Sequence, residues 1–266
     1  TTAQIVALTT AQAAALTTEQ VTLGLSTAQV AVMETRDIAA LSTANLAALS
    51  TAQVNLGLTT TQVAQGLSTA QLQSLTTDQV AALSTAQVQL GLTTAQLRQG
   101  LSTTQVAAME TRDVAALSTA QMAILTSGQV AALTTSQLAA VSDAQFTAMG
   151  SAQLAGLTSA QLSSISESQV QSISTAEIAS LTTAQVATMG TNPVSLMTTA
   201  QVRALSSDQL NGLSSNLLQA LTGDEVKALS TAQVQSLTSG MLNTLSTDQV
   251  TQLNDSAVKV INTTSL

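Results

Sequence analysis

A large aliphatic residue or Met recurs every eight or nine positions along this chain. After nearly every one comes a Ser or Thr, with a Gln three places further on. Cutting after each aliphatic divides residues 1–261 into 32 consecutive units and leaves NTTSL over. TTAQIVAL (1–8), TTAQAAAL (9–16), STAQLQSL (68–75), TTAQVRAL (198–205) and NDSAVKVI (254–261) show the range. A chain given over to one short unit must bury its apolar residues between neighbouring units, because no single unit has a core of its own.

Position 1 is Ser or Thr in 27 of the 32 units, position 4 is Gln in 23 and Glu in two more, and the last position is Leu, Met, Ile or Val in all of them. Position 5 is large and apolar except at Ala13. Ser/Thr followed three residues later by Gln/Glu is the capping box, in which the hydroxyl accepts from the N3 backbone N–H and the N3 side chain reaches back to the N-cap N–H. Each unit therefore starts a helix. The aliphatic before the cap and the one at position 5 form a hydrophobic staple, as Leu25 with Val30 and Leu83 with Val88. About two helical turns fit between successive caps.

Two rival architectures fail on geometry. In one continuous helix, eight residues advance by about 800°, so the apolar stripe would rotate some 80° per unit and face every direction. A strand puts positions 5 and 8 on opposite faces and fills the rest with Ala and Gln, which are poor strand formers. Helices this short are unstable alone, so the predicted fold is an all-α solenoid of about 32 very short capped helices, roughly four per turn. The whole of 1–266 reads as one repeat domain.

The estimate of four comes from a second period. TTEQVTLGL (17–25), STAQVNLGL (50–58), TTTQVAQGL (59–67), STAQVQLGL (84–92) and TTAQLRQGL (93–101) carry a ninth residue, with Gly before the last Leu, and recur at offsets of 33 or 34 residues. That offset is four units, and stacking unit n on n+4 at helix spacing gives a rod on the order of 80 Å. Gly24, Gly57, Gly66, Gly91 and Gly100 are expected as left-handed C-caps that widen a corner. Positions 5 and 8 are expected inside, with Ala at 3, 6 and 7 allowing close approach. Residues 102–266 keep strict octads, and their last units are degenerate.

Composition removes several functions. The chain has no Cys, His, Trp or Tyr, and six basic against fourteen acidic residues for a net charge of −8. Without Cys there is no disulfide framework or thiolate metal site, and without His the commonest general base and metal ligand are missing. So acidic a chain lacks the basic footprint for nucleic acid or anionic membranes, and no apolar run reaches the length of a membrane span. No enzyme, cofactor or metal site is expected. The chain starts at Thr1 without Met or a signal-peptide pattern, which reads as a processed protein or a piece of a longer one.

The candidate partner surface is ETRD, which occurs twice: Glu34, Arg36 and Asp37 recur 76 residues later as Glu110, Arg112 and Asp113. The alternative is a capping variant with Asp at N3 and a surface ion pair worth little. Asp143, Asp208, Asp224, Glu225 and Asp248 fall in first turns, where the helix dipole accounts for acids. Phe146 and most Met occupy core positions. Pro193 replaces the capping Gln, with Asn192 expected as a shifted N-cap and Pro193 at N1. Asn254 and Asn262 lie in N-x-S/T patterns. As a lost cap alone, Gln87→Ala is expected to cost less than about 2 kcal/mol.

The Leu-Thr-Thr-Ala-Gln run, as at 8–12 and 92–96, resembles the repeats of very large bacterial surface or secreted proteins described as adhesin-like or hemagglutinin-like. The resemblance covers units 1 to 31 and implies an extracellular or cell-surface setting in a Gram-negative bacterium. It implies no activity. The leading expectation is a structural protein, either an adhesin stalk or a filament subunit that associates head to tail, because neither terminal unit carries a polar cap and open solenoid ends present the surfaces that stack internally. A binding module using the superhelix surface, or an ice-binding protein presenting its Thr at position 2, are the alternatives.

Overall fold

The structure is a computed structural model and describes residues 1–259 and 261. Every unit forms one short helix, and no strand occurs among the described residues. The fold is an all-helical solenoid. Its contacts divide into two compact bodies, one spanning Thr1–Ala148 and the other starting at Met149.

Capping sets the rhythm, as the sequence predicts. In the helix Thr69–Ser74, the Ser68 hydroxyl accepts from Gln71 N–H at 3.2 Å while Gln71 Oε1 accepts from Ser68 N–H at 2.8 Å. The box repeats in both bodies, for example at Thr126 with Gln129 and at Ser230 with Gln233. Most helices end at an aliphatic whose extended backbone carries the chain into the next cap; Met189, at φ −57°, ψ −26°, is an exception. Leu75 has φ −63°, ψ 140° and Leu237 has φ −64°, ψ 134°. The residue that closes one staple therefore also ends the preceding helix.

Helices stack in two registers. Their bodies pack on the helix three units away: Thr2–Val6 on Thr27–Val32 and Thr103–Ala108 on Ser127–Ala132 in the first body, Thr175–Ser180 on Thr199–Ala204 in the second. The amide side chains reach four units back. A turn thus holds between three and four units, and each unit sits across the boundary between two units of the turn before. The interior is lined by positions 5 and 8, Phe146 among them, and by position 4 as well. Ala at position 3 faces solvent, as Ala120 does, while Ala at positions 6 and 7 is often half-buried, as Ala107 and Ala108 are.

The glycines of the nine-residue units work differently from the expectation. Gly190 is the sole residue with positive φ among those described; Gly24, Gly57, Gly66, Gly91 and Gly100 are not left-handed caps. In four of the five units the extra residue widens the helix into an i→i+5 turn, with Leu58 N–H donating to Gln53 O at 3.0 Å and Leu92 N–H to Gln87 O at 2.9 Å. The glycine that ends the wide turn lies flat on the helix three units back. A Cβ on Gly57 would come within 3.0 Å of Val30 Cβ, and one on Gly91 within 3.1 Å of Val63 Cβ. Glycine is needed there for contact. Gly24, in the first turn, would meet nothing within 4 Å, and its unit stays α-helical.

Pro193 also sits elsewhere than expected. The helix runs Thr191–Ser195 with Gly190 as N-cap at φ 86°, ψ 164°, which places Pro193 at N3 and leaves Asn192 inside the first turn. Proline fits because first-turn N–H groups have no intrahelical partner, and a glycine supplies the entry angle that an L-residue resists.

Candidate functional site: the joint between turns

The repeated Gln does more than cap. Its Oε1 closes the box on its own helix, and its Nε2 donates across to two backbone carbonyls four units earlier, those of positions 5 and 8. Gln53 donates to Val21 O at 2.9 Å and Leu25 O at 2.7 Å. Gln96 donates to Val63 O and Leu67 O, both at 2.7 Å. In the second body Gln233 reaches Val202 O and Leu205 O, both at 2.9 Å. These carbonyls lie where a short helix ends, so they lack the partners a longer helix would supply. One primary amide thus satisfies a helix start and a helix end in different turns, and from Gln53 onward most of these side chains are buried. The first three, Gln4, Gln12 and Gln20, are exposed, the fourth, Gln29, is half-buried, and their side chains only cap.

Sequence reasoning found the cap and missed the latch. The signal was present: a Ser/Thr cap needs only an acceptor at N3, which Glu supplies as well as Gln, yet Gln outnumbers Glu by 23 to two. A requirement for donors at that slot explains the excess.

The ETRD segments break the latch. Asp37 and Asp113 occupy the Gln slot and are buried, but a carboxylate has no N–H to donate. Each instead turns to the unit three back, accepting from Thr10 Oγ1 at 3.1 Å and from Thr85 Oγ1 at 2.6 Å. One oxygen of each, Oδ2, has no hydrogen-bond partner. Glu34 and Glu110 hold the N-cap position without making a side-chain cap, while Asp37 and Asp113 stand at N3 in the first turn as the capping reading expects. Exposed Arg36 pairs with Glu34 at 2.7 Å and lies 3.9 Å from Asp37, and Arg112 lies 3.5 Å from Asp113. The two triads are nine units apart, three steps along the packing column, so the fold does not bring them into one patch.

Two further surface features stand out. Leu23, Leu56 and Leu90 are 79%, 72% and 71% exposed. They share the slot before the glycine in units that Gln53 and Gln87 join four apart. In the second body, Arg203 and Lys227 line a hollow of about 340 Å³ with Leu229, Ser230, Thr231 and Asn254. The Asn254 amide donates to Leu229 O at 3.2 Å; Asn262 lies outside the described residues. No group of acidic side chains able to hold a metal ion occurs among the described residues, and no helix there is long and apolar enough to cross a membrane.

Comparison with known proteins agrees with the repeat reading. No curated protein matches the chain. A family model described as the ALTTAQ repeat matches residues 30–65, 65–90 and 106–143, so this stretch of the solenoid is similar to that repeat three times over.

Proposed function

We propose that this chain is a non-catalytic structural element, a self-assembling filament subunit or a stalk segment of an extracellular adhesin in a Gram-negative bacterium. The inter-turn latch carries the reading. Every turn offers Gln amides in one direction and rows of carbonyls in the other, so the same joint adds turns without limit, and length is what such a solenoid supplies. The amides of exposed Gln4, Gln12 and Gln20 and half-buried Gln29 are what an inner turn presents to its neighbour, and a second copy offering the same carbonyls fits them head to tail. The absence of His and Cys from the sequence leaves little for acid–base or nucleophilic chemistry.

A second reading, a module that binds a partner along the superhelix surface, is favoured by the exposed Leu23, Leu56 and Leu90 row. Negative-stain electron microscopy across a concentration series, with light scattering, separates the two. Uniform fibres whose length grows with concentration support the filament. Discrete particles at every concentration exclude head-to-tail assembly and leave the stalk or the binding module. Loss of assembly in a variant with Gln4, Gln12, Gln20 and Gln29 all changed to Glu would attribute fibres to the latch, since Glu keeps the cap acceptor and removes the donor.

A further inference from the structure

The second body holds one latch position where chemistry and geometry disagree. Glu225 takes the Gln slot in TGDEVKAL and is buried, 2% exposed. Its Oε2 accepts from the Thr222 backbone N–H, as the Gln oxygen does elsewhere. Its other oxygen, Oε1, stands where Gln carries Nε2, and it is buried without a hydrogen-bond partner. Neighbouring latches set the register. Gln201 reaches Val170 O and Ile173 O, Gln233 reaches Val202 O and Leu205 O, and Gln249 reaches Leu218 O and Leu221 O. The same step from Glu225 ends at the carbonyls of Val194 and Met197. An ionised carboxylate would set an acceptor against acceptors, whereas a protonated one presents an O–H in place of the amide N–H.

We propose that Glu225 is a proton-dependent latch, closed onto the Val194 and Met197 carbonyls when its carboxyl is protonated and open when it is ionised. Its position makes the effect local. The unit it grips is GTNPVSLM, where Pro193 replaces Gln and has no amide of its own to pass back, so this unit depends on Glu225 for an amide-type link in either direction.

The charge environment favours the neutral form. Burial raises the Glu225 pKa above 4.5, against the hydrogen bonds from Thr222 that lower it, and Asp224 next to it raises it further. The helices packed on Gly223–Ala228 are Thr199–Ala204 and Thr247–Gln252. Their charged residues, Arg203 and Asp248, are exposed, as are Asp224 and Lys227 on its own helix. None forms an ion pair with Glu225 within 4 Å. A folded-state pKa above the unfolded value means that the stabilisation is complete below about pH 4.5 and is lost as pH rises through the folded value.

The test compares the full wild-type chain with Glu225→Gln by thermal melting from pH 4 to 8, with Glu177→Gln, a half-buried Glu in the same slot, as control. Carbon-13 NMR of the labelled wild type follows the Glu225 carboxyl directly. The expected result is a Glu225→Gln melting point above wild type at pH 8, a gap that closes toward pH 4, a smaller gap at pH 8 for Glu177→Gln, and a Glu225 carboxyl that titrates above the normal glutamate range. A gap that does not change with pH, a Glu225→Gln chain that fails to fold, or a Glu225 carboxyl titrating normally would each overturn the proposal.

Discussion

The two bodies are built from the same unit but differ in how completely their turns are joined. From Gln53 to Gln145 in the first body, the Gln slot is interrupted once, by Asp113. Even where Asn45 stands in that slot, its shorter amide still reaches Leu16 O at 2.9 Å. In the second body Pro193, Leu217, Glu225 and Met241 all occupy the slot. Through the middle of each body the apolar positions are filled alike; Val88 and Leu97 are as buried as Val202 and Leu210. The difference teaches that aliphatic burial holds the helices in layers, while the amides decide how firmly one layer is keyed to the next. A solenoid loses its keys one at a time and keeps its fold.

The largest expected effect breaks the shared feature. Val88→Asp places an unpaired charge in the core and should cost more than about 4 kcal/mol, visible as loss of amide-exchange protection across adjoining turns, whereas Gln89→Asp on the exposed side should change stability by less than about 0.5 kcal/mol. Equal effects would refute the assigned interior. Next comes the key itself. Gln87→Ala removes the acceptor from Ser84 N–H and the donor to Val54 O at 2.7 Å and Leu58 O at 2.6 Å, so denaturant unfolding should show a loss of about 3 kcal/mol. That exceeds what a cap alone is worth, and a loss under 1 kcal/mol would mean that water replaces the latch.

Smaller effects sharpen the comparison within and between bodies. Gly91→Ala crowds Val63 and the Thr60 carbonyl and should destabilise by about 1 to 2 kcal/mol. Gly24→Ala meets open space and should be neutral or stabilising by up to about 1 kcal/mol. Matched melting curves check the pair. Met241→Gln restores an amide in the second body, in register with the Leu210 and Leu213 carbonyls, and should raise stability by about 1 kcal/mol. Exchange rates of the amides in 206–213 should slow if the new side chain engages there.

The unit, its boundaries and its aliphatic interior were legible because capping boxes, staples and helix ends are local, set by residues within five positions of one another. The 33- and 34-residue offsets exposed the four-unit register for the same reason, since the glycines mark it directly in the sequence. The chain's own spacing could not disclose which helix bodies touch. Packing three units apart depends on how far each short helix turns at its cap, an angle that accumulates in three dimensions. The glycines were misread on that account: their freedom suggested a left-handed turn, and their use is the absence of a Cβ against Val30 or Val63. Asp37 and Asp113 read as surface acids because charged Arg and Glu stand beside them in the sequence, and only the fold turns the third residue of each triad inward to Thr10 and Thr85. The sequence by itself determined an array of capped helices with aliphatic residues inside. The tertiary structure alone decided that the fourth residue of each unit belongs to two turns at once, because a side-chain amide has a donor as well as an acceptor and its second partner lies some thirty residues away in the chain.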